Sequence, residues 1–306
     1  MPSVSICIPT YNHGRYIEEA LRSAQAQAYE DLEILVLDNA SQDDTAAIVG
    51  RIASRDSRIR YMRHRENIGL AGNLTACIEF ARGRYIKPLC ADDSLEPDCV
   101  SVLARELDEN PTVALVGCAR TVTDANLSPL RVCRARAAPE RIPGAEMIAE
   151  CFFFGNRIGE PTAVMFRRAE ASRGFNPTYT TLVDLEMWFH LLGLGDFAAV
   201  PQALCKFRSH AEQGTKSLER SGRTVEDRRR LFRDFSAPAG RSAGLFRKWL
   251  WDFRMAYSVA RIEPVAGISA EGSTSETFFP QAFARLTYPT VKLMTILGLR
   301  LVWKVA

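Results

Sequence analysis

Short apolar runs alternate with amphipathic segments along most of the chain. The run Val4 to Thr10 is bounded by a turn, which is typical of a buried strand, and Asp31 to Leu37 is a second such run. Between them, residues 15–27 carry apolar side chains at helical spacing, which predicts an amphipathic helix. Further helices are predicted at 46–53, 74–82, 98–110, 144–154, 184–191 and 222–233, and further strands at 59–63, 85–89, 113–118, 197–200 and 203–207, with a turn into a strand at 159–168. This alternation predicts an α/β fold with the sheet flanked by helices.

Two adjacent carboxylates, Asp92 and Asp93, follow directly after the predicted strand Tyr85 to Leu89. Open α/β sheets bind ligands outside the carboxyl ends of their strands. Adjacent aspartates at such an end supply hard oxygen ligands for Mg²⁺ or Mn²⁺, which in turn hold substrate phosphates. An Asp-Asp turn that caps the helix beginning near Asp98 explains the same residues. The pair alone does not decide between a metal site and a cap.

Three segments, taken together, resemble the opening motifs of family 2 glycosyltransferases in order and in spacing. They are Ser5 to Asn12, Val36 to Ser41 and Leu89 to Asp93. The resemblance extends over residues 1–215 and implies a GT-A-like, Rossmann-like α/β domain with a mixed sheet. Beyond it, the pattern predicts a helical C-terminal extension, residues 216–306.

The resemblance implies a metal-dependent inverting glycosyltransferase. A sugar would move from a nucleoside-diphosphate sugar to a hydroxyl of a glycan or lipid-linked saccharide, in the synthesis of cell-surface polysaccharide. Asp92 and Asp93 would hold Mn²⁺ or Mg²⁺, with Asp92 also at the donor diphosphate. The family often has a further Asp where this chain has Cys90, so the metal would rest on fewer carboxylates.

The donor-binding residues are also implied by the resemblance. Asp38 and Asn39 would contact the base and ribose, and the family often has Asp where Asn39 stands, which leaves the base preference open. Three more residues would lie beside the nucleotide sugar: Pro9, Tyr11 and Asn73.

A stretch of the form Arg-x-His-x-x-Gln contains Arg208 and His210. In many members of the family this stretch closes over the donor diphosphate, so both residues would lie at the donor and His210 or Arg208 would help to neutralise the leaving phosphate. A surface histidine with no special role is the alternative for His210.

The resemblance assigns the general base to Asp184. In the family an acidic pair precedes an aromatic-rich helix; here Val183 replaces the first acid and Asp184 matches the second. A carboxylate at a helix N-terminus is also stabilised as a simple cap, and Glu186 is the second candidate for the base. Gly159 and Glu160 belong to a segment that lines the acceptor pocket in the family, although a plain turn also explains them.

Composition adds the cellular setting. The chain has 306 residues, 47% of them hydrophobic and 25% charged, as in a globular protein, with a net charge of +3. Eight cysteines are scattered without a Cys-x-x-Cys pair, which favours buried free thiols in a reducing cytosol over disulfides or a zinc site. Met1-Pro2-Ser3 leads directly into the first predicted strand, so we expect no signal peptide. A cytoplasmic protein is predicted, and no nucleic-acid partner.

The C-terminal extension carries two amphipathic or apolar segments, Leu245 to Tyr257 and Thr290 to Val305. Both combine Trp with Arg and Lys, which suits peripheral contact with the cytoplasmic face of the inner membrane. The longest uncharged run of the second segment, Leu293 to Leu299, is far shorter than the about 20 apolar residues that span a bilayer. Packing onto the catalytic domain, or a homodimer interface, is the alternative.

Two other function classes remain open. A nucleotidyltransferase also uses a metal and acids at strand ends, but it usually begins with a Gly-rich phosphate loop and a Lys, which Pro9 to Gly14 lacks. The glycines between Glu66 and Asn73, in a predicted loop before a helix, also lack G-x-G-x-x-G spacing. A catalytically silent scaffold that binds sugar nucleotides is the second class.

Overall fold

The computed structural model describes residues 2–210 and 223–240. Within them, the strands are β1 (Val4–Thr10), β2 (Leu32–Asp38), β3 (Ile59–Arg63), β4 (Tyr85–Pro88), β5 (Ser94–Leu95), β6 (Val113–Thr123), β7 (Pro129–Cys133), β8 (Glu140–Ile142), β9 (Val164–Arg167) and β10 (Asp196–Arg208). The α-helices are α1 (Ile17–Gln25), α2 (Thr45–Ala53), α3 (Gly69–Phe80), α4 (Cys99–Glu109), α5 (Gly144–Phe154), α6 (Val183–Leu192) and α7 (Arg223–Gly240). The predicted alternation of strands and helices is confirmed.

The strands form one mixed sheet in the order β3-β2-β1-β4-β9-β6-β10-β5, with β7 paired to β6 and β8 to β10. β1 is parallel to β2 and β4, β2 is parallel to β3, and β6 is parallel to β10. β9 runs antiparallel between β4 and β6. The carboxyl ends of β1, β2, β4, β6 and β10 therefore share one edge of the sheet with the start of β9.

Apolar side chains pack in two layers, one on each face of the sheet. Alternate residues of a strand point to opposite faces: in β2, Leu35 belongs to one layer and Ile34 to the other. Helices α3, α5, α6 and α7 cover the first face, and α1, α2 and α4 cover the second. Burying one such aliphatic side chain contributes about 1.5–3 kcal/mol, so the two layers hold the shared edge in place.

Helix α3 begins earlier than predicted. The sequence predicted a glycine-bearing loop up to Asn73 and a helix from Leu74, whereas the helix already begins at Gly69. Gly69 has a φ of +78°, which a glycine adopts without steric cost. The predicted loop is therefore wrong in its second half, and Asn73 lies inside the helix.

Strand β10 is also longer than predicted. The sequence predicted two strands, 197–200 and 203–207, but one strand runs through with register shifts beside Pro201. Proline cannot donate to a β ladder and is accommodated at bulges. The long polar excursion predicted from Asp124 to Pro143 contains two short strands, β7 and β8, which pair with the ends of longer ones.

All eight cysteines are free thiols, and six of them are buried, as the sequence predicted. The predicted helix near residues 222–233 is confirmed by α7. The chain divides into two compact units, residues 1–236 and 237–306. The predicted domain boundary after residue 215 and the two segments 245–257 and 290–305 lie outside the described residues and stay predictions. Within the described part, no helix has the length and apolar character to cross a membrane.

Candidate functional site

Asp93 is built into the interior at the turn between β4 and β5, where it is 1% exposed. Its Oδ2 accepts a hydrogen bond from the Thr162 hydroxyl at 2.5 Å, and its Oδ1 accepts one from the Arg208 backbone N–H at 2.9 Å. Burial, and then the charge of Asp92, raise the pKa of Asp93 well above its usual range. The turn that contains Asp92 and Asp93, here called the acidic turn, is thus bonded through Asp93 to Thr162, just before β9, and to Arg208, at the end of β10. The role of Asp93 as a metal ligand stays a prediction.

Asp92 lies beside His210. Asp92 Oδ2 and His210 Nε2 are 2.9 Å apart, with the two side chains 14% and 5% exposed. The imidazole packs against the Tyr16 ring, with the ring centroids 4.8 Å apart. The sequence placed His210 at the leaving phosphate, whereas the structure brings it directly to the predicted metal residue.

These side chains fit a divalent cation. Donor atoms 2.9 Å apart have the separation of neighbouring ligands on an octahedral ion with bonds of about 2.1 Å. One ligand atom each from Cys90, Asp92 and Asp93 lie within 4.8 Å of one another. Burial, and then the charges of Asp93 and Asp92, raise the pKa of the Cys90 thiol well above its usual range. Because the thiolate is the ligand form of cysteine, and because the pKa of Asp93 is raised in the same way, Asp92 and the His210 imidazole are the better donors.

The Arg208 side chain braces the acidic turn. Its Nε donates to the Asp92 carbonyl at 2.7 Å and its Nη1 to the Ala125 carbonyl at 2.5 Å, and its guanidinium forms an ion pair with Glu19 of α1. The guanidinium carbon also lies 4.9 Å from the centre of the Tyr16 ring. Arg208 therefore links β10, α1 and the metal candidate, and its predicted contact with the leaving phosphate remains untested.

Asp38 and Asn39 are buried at the end of β2, with 0% and 4% exposure. Asp38 Oδ1 accepts a hydrogen bond from the Ser41 N–H at 2.8 Å, and its Oδ2 accepts one from the Tyr61 hydroxyl at 2.6 Å. Asn39 Oδ1 accepts one from the Ile68 N–H at 2.9 Å. These bonds fix the turn after β2 and the start of α3. Contact with a base and ribose stays a prediction for both residues.

The other predicted donor residues differ in exposure. Tyr11 is 41% exposed just after β1, so its ring is accessible to a flat ligand. Pro9 is half-buried within β1, in register with Leu37 of β2. Asn73 is 3% exposed; its amide donates to the Leu37 carbonyl at 3.0 Å, and its Oδ1 lies 3.1 Å from His64 Nε2. Asn73 thus connects α3 to β2 rather than lining an open surface.

Asp184 is the second residue of α6, and it is half-buried. Its Oδ1 accepts a hydrogen bond from the Leu185 N–H at 2.8 Å. Burial raises the pKa of Asp184 to about 6, and the charge of Glu160 acts in the same direction. The segment 159–162 links α6 to the acidic turn, because the Gly159 carbonyl accepts a hydrogen bond from Trp188 of α6 and the Thr162 hydroxyl donates one to Asp93. A carboxylate with this pKa is ionised at neutral pH and more basic than an ordinary aspartate, as a general base requires.

Glu186, the second candidate for the base, is 4% exposed and paired. Both of its oxygens accept hydrogen bonds from Arg173 Nη2, at 3.0 and 2.9 Å. Both carboxylate oxygens of Glu186 are therefore already engaged in an ion pair. The structure therefore favours Asp184 over Glu186.

Gly159 and Glu160 form a turn anchored to two elements. The Gly159 carbonyl accepts hydrogen bonds from Trp188 Nε1 of α6 and from Asn156 Nδ2, both at 3.2 Å. Glu160 forms an ion pair with Arg120 of β6. Gly159 has a φ of +126°, and a Cβ there would lie 2.9 Å from the Ala163 Cβ. The turn is thus anchored to α6, the helix that carries Asp184, and its role in acceptor binding stays a prediction.

Three residues of the site were missed in the sequence: Tyr16, Thr162 and Arg120. Arg120 carried a signal, because it is a charged residue that follows the apolar run 113–119. Tyr16 and Thr162 carried none, since their contacts join elements that are far apart in the sequence.

Comparison with known proteins gives four findings. The family model for glycosyl transferase family 2 matches residues 5–172. The uncharacterized protein MT1568 of Mycobacterium tuberculosis is 35% identical over 240 residues, which cover 75% of this chain and 74% of that protein. The chondroitin synthase of Pasteurella multocida is 32% identical over 203 residues, which cover 64% of this chain and 20% of the synthase. The match therefore spans about a fifth of the synthase.

A solved structure gives the fourth finding. The mannosyltransferase PcManGT of Pyrobaculum calidifontis, in complex with GDP-Man and Mn²⁺, matches with a TM-score of 0.62 at 20% identity. The match covers 96% of this chain and 83% of the mannosyltransferase. At this identity the likeness shows the fold, and it confirms the GT-A-like sheet predicted from the sequence.

Proposed function

Because the chain belongs to glycosyl transferase family 2, we propose that it is a metal-dependent inverting enzyme that uses a nucleoside-diphosphate sugar as donor. The chain is a glycosyltransferase; the metal, the donor and the acceptor are the proposed parts. One observation carries the proposal: the segment 159–162 is hydrogen-bonded both to α6, the helix that begins with Val183 and Asp184, and to Asp93, next to the Asp92–His210 pair. A base and an anion-binding centre at one edge of a sheet are what sugar transfer needs.

The donor end is proposed to lie against the acidic turn. Asp92 and His210, with Asp93 behind them, would hold a divalent cation, which supplies charge that offsets the departing nucleoside diphosphate. Arg208 braces this turn, and Tyr11 offers an exposed ring on which the base stacks. Asp38 and Asn39 fix the wall of the base pocket.

The acceptor end is proposed to lie at Asp184 and the Gly159–Glu160 turn. Asp184 takes the proton of the acceptor hydroxyl, and that oxygen forms a bond to the anomeric carbon. The bond from the anomeric carbon to the diphosphate oxygen breaks, and the electron pair leaves with the nucleoside diphosphate. Attack from the side opposite the leaving group inverts the anomeric centre. The protein therefore orients the acceptor hydroxyl relative to the anomeric carbon and accepts one proton.

The proposed acceptor is a hydroxyl of a glycan or lipid-linked saccharide, in cell-surface polysaccharide synthesis. The match to a chondroitin synthase supports a saccharide acceptor. The mannosyltransferase solved with GDP-Man and Mn²⁺ supports a nucleotide-sugar donor and a divalent metal.

The test is a panel of nucleotide sugars with Mn²⁺, in which release of nucleoside diphosphate is measured with and without saccharide acceptors. We expect acceptor-dependent release by the wild type. Asp184→Asn keeps the shape and removes the basicity, so transfer should fall by about 10²-fold or more while donor binding stays the same. Release of pyrophosphate would indicate a nucleotidyltransferase, and binding without release a silent scaffold; either result overturns the proposal.

A further inference from the structure

Helix α7 packs against the helix that carries Asp184. Leu231 is 2% exposed and belongs to the apolar layer that contains α6. Phe235 lies edge-on to Phe189 of α6, with ring centroids 5.6 Å apart. The arginines of α7 lie on a different side: Arg228 and Arg229 are exposed, whereas the side that contains Leu231 is a packing surface.

The same side of α7 carries a buried carboxylate, Asp227, which is 2% exposed. Its Oδ2 accepts hydrogen bonds from three consecutive backbone N–H groups, those of Thr180 at 2.8 Å, Thr181 at 2.6 Å and Leu182 at 3.2 Å. The Thr181 hydroxyl donates to the same oxygen at 3.0 Å. One carboxylate oxygen thus binds the N–H groups of the three residues that lead into α6.

This contact anchors the backbone just before α6, at a helix start that has no side-chain cap of its own. The first N–H groups of a helix have no partner within the helix, and a Ser, Thr, Asp or Asn side chain at the N-cap usually accepts from one of them. The N-cap of α6 is Leu182, which has no acceptor, and no side-chain cap bond is present there. A negative charge at a helix N-terminus is favoured by the helix dipole. Asp227 supplies that charge from 45 residues further along the chain.

Asp184 lies two residues after the backbone segment 180–182 that Asp227 binds. Its own Oδ1 accepts from the Leu185 N–H at 2.8 Å. The two carboxylates therefore divide the donors at this helix end: Asp227 takes those of residues 180–182, and Asp184 takes that of Leu185. The direction of the Asp184 side chain depends on where the first turn of α6 lies.

We propose that Asp227 is a positioning residue that fixes the first turn of α6 and thereby aims the Asp184 carboxylate at the acceptor hydroxyl. This inference rests on the proposed function, in which Asp184 is the base. Asp227 is 2% exposed and acts through the backbone of residues 180–182. Helix α7 is then a working part of the transferase and not an appendage to it.

The matched control is Asp234 on the same helix. Asp234 is exposed, and its Oδ2 accepts a hydrogen bond from the Tyr179 hydroxyl at 2.9 Å. Asp234→Asn therefore weakens the contact between α7 and the same loop without touching the N–H groups at the start of α6. A general loosening of α7 would affect both variants alike, whereas a positioning role affects only Asp227.

The experiment measures transfer kinetics and amide hydrogen exchange of the full chain for Asp227→Ala, Asp227→Asn and Asp234→Asn. In Asp227→Ala we expect kcat to fall by about 10- to 100-fold, the scale of a misplaced reacting group. The KM for the donor should stay within about twofold, because the donor does not contact this turn. The amides of residues 182–185 should exchange faster. Asp227→Asn, which keeps one acceptor oxygen, should lie between Asp227→Ala and the wild type, and Asp234→Asn should keep the wild-type kcat.

Two results would overturn the inference: unchanged exchange at residues 182–185 in both Asp227 variants, or faster exchange there with an unchanged kcat. An equal loss of kcat in Asp234→Asn would also overturn it, since the effect would then belong to α7 as a whole. If Asp227→Ala does not fold, Asp227→Asn decides by the same two readouts. If the wild type transfers no sugar, the proposed function is rejected, and with it the part of the inference that concerns the acceptor. The exchange data would still show whether Asp227 fixes the first turn of α6.

Discussion

Asp92 and Asp93 are neighbours in the sequence, but the fold uses them differently. Asp93 is enclosed and accepts hydrogen bonds from Thr162 and from the Arg208 backbone, whereas Asp92 reaches His210 at the edge of the site. Asp92→Asn should therefore abolish the enhancement of nucleoside diphosphate binding by Mn²⁺ and leave the melting temperature nearly unchanged. Calorimetric titration with and without Mn²⁺, together with a thermal melt, measures both.

Asp93→Ala should behave in the opposite way. The substitution leaves the Arg208 N–H and the Thr162 hydroxyl without their acceptor, and each buried unsatisfied group costs about 1–3 kcal/mol. We expect a clearly lower melting temperature, with the metal effect weakened only as far as the turn is disturbed. A fully stable Asp93→Ala chain that has lost all Mn²⁺ enhancement would contradict this and make Asp93 a direct ligand.

The pKa of Asp184 sets a pH dependence. A base must be deprotonated to act, so the transfer rate should rise with pH through about 6 and level off above it. Because the charge of Glu160 helps to raise this pKa, Glu160→Gln should move the rise to lower pH. Rate profiles from pH 4.5 to 8 at saturating donor check both shifts. A wild-type profile that is flat across pH 6, or a Glu160→Gln profile that moves upward, would speak against Asp184 as the base.

The same group affects stability with the opposite sense. The folded pKa lies above the usual aspartate value of about 3.9. Between these two values the folded state retains a proton that the unfolded state has released. The free energy of unfolding contributed by Asp184 is therefore lost as the pH rises through the folded pKa of about 6. The burial that makes Asp184 more basic therefore also lowers the free energy of unfolding at neutral pH.

At the scale of elements, hydrophobic periodicity predicted the long, regular pieces well. The strand 59–63 and the helix 144–154 have the bounds that the sequence predicted. β7 and β8 were not predicted, because they are short and largely exposed, and their pairing is imposed by β6 and β10. A local sequence pattern predicts an element that buries one face, because burial makes the apolar residues periodic. It does not predict an exposed strand that forms only by pairing with a neighbouring strand.

The candidate site shows the same division. Asp92 and Asp184 were found from the sequence because each lies at the end of a regular element within a recognisable motif. The Arg120–Glu160 pair and the contact of Asp227 with residues 180–182 were not predicted. The first joins residues 40 positions apart and the second residues about 45 positions apart. Such contacts depend on how helices and strands pack together, and a local sequence pattern does not determine that packing. A polar helix such as α7 looks solvated until its partner is known.

At the scale of the whole molecule, both amphipathic segments predicted to meet a membrane fall in the second compact unit, residues 237–306. They contain Trp249, Trp251 and Trp303 along with Arg and Lys. The proposed location is the cytoplasmic face of the inner membrane, where a lipid-linked acceptor would also lie. Packing against the first unit, or a homodimer, is the competing proposal for the same segments.

Vesicle flotation of the full chain separates these proposals. Each basic residue near an anionic surface contributes about 1 kcal/mol, and the attraction weakens within a Debye length as salt rises. The chain should therefore float with anionic vesicles at low salt, less at high salt, and least with neutral vesicles. Replacing Trp249 and Trp251 by Ser removes the aromatic anchors and keeps the charges, so flotation should fall while its salt dependence persists. A chain that stays in solution with every lipid mixture would contradict membrane contact, and sedimentation would then show whether the segments join two copies of the chain or pack within one.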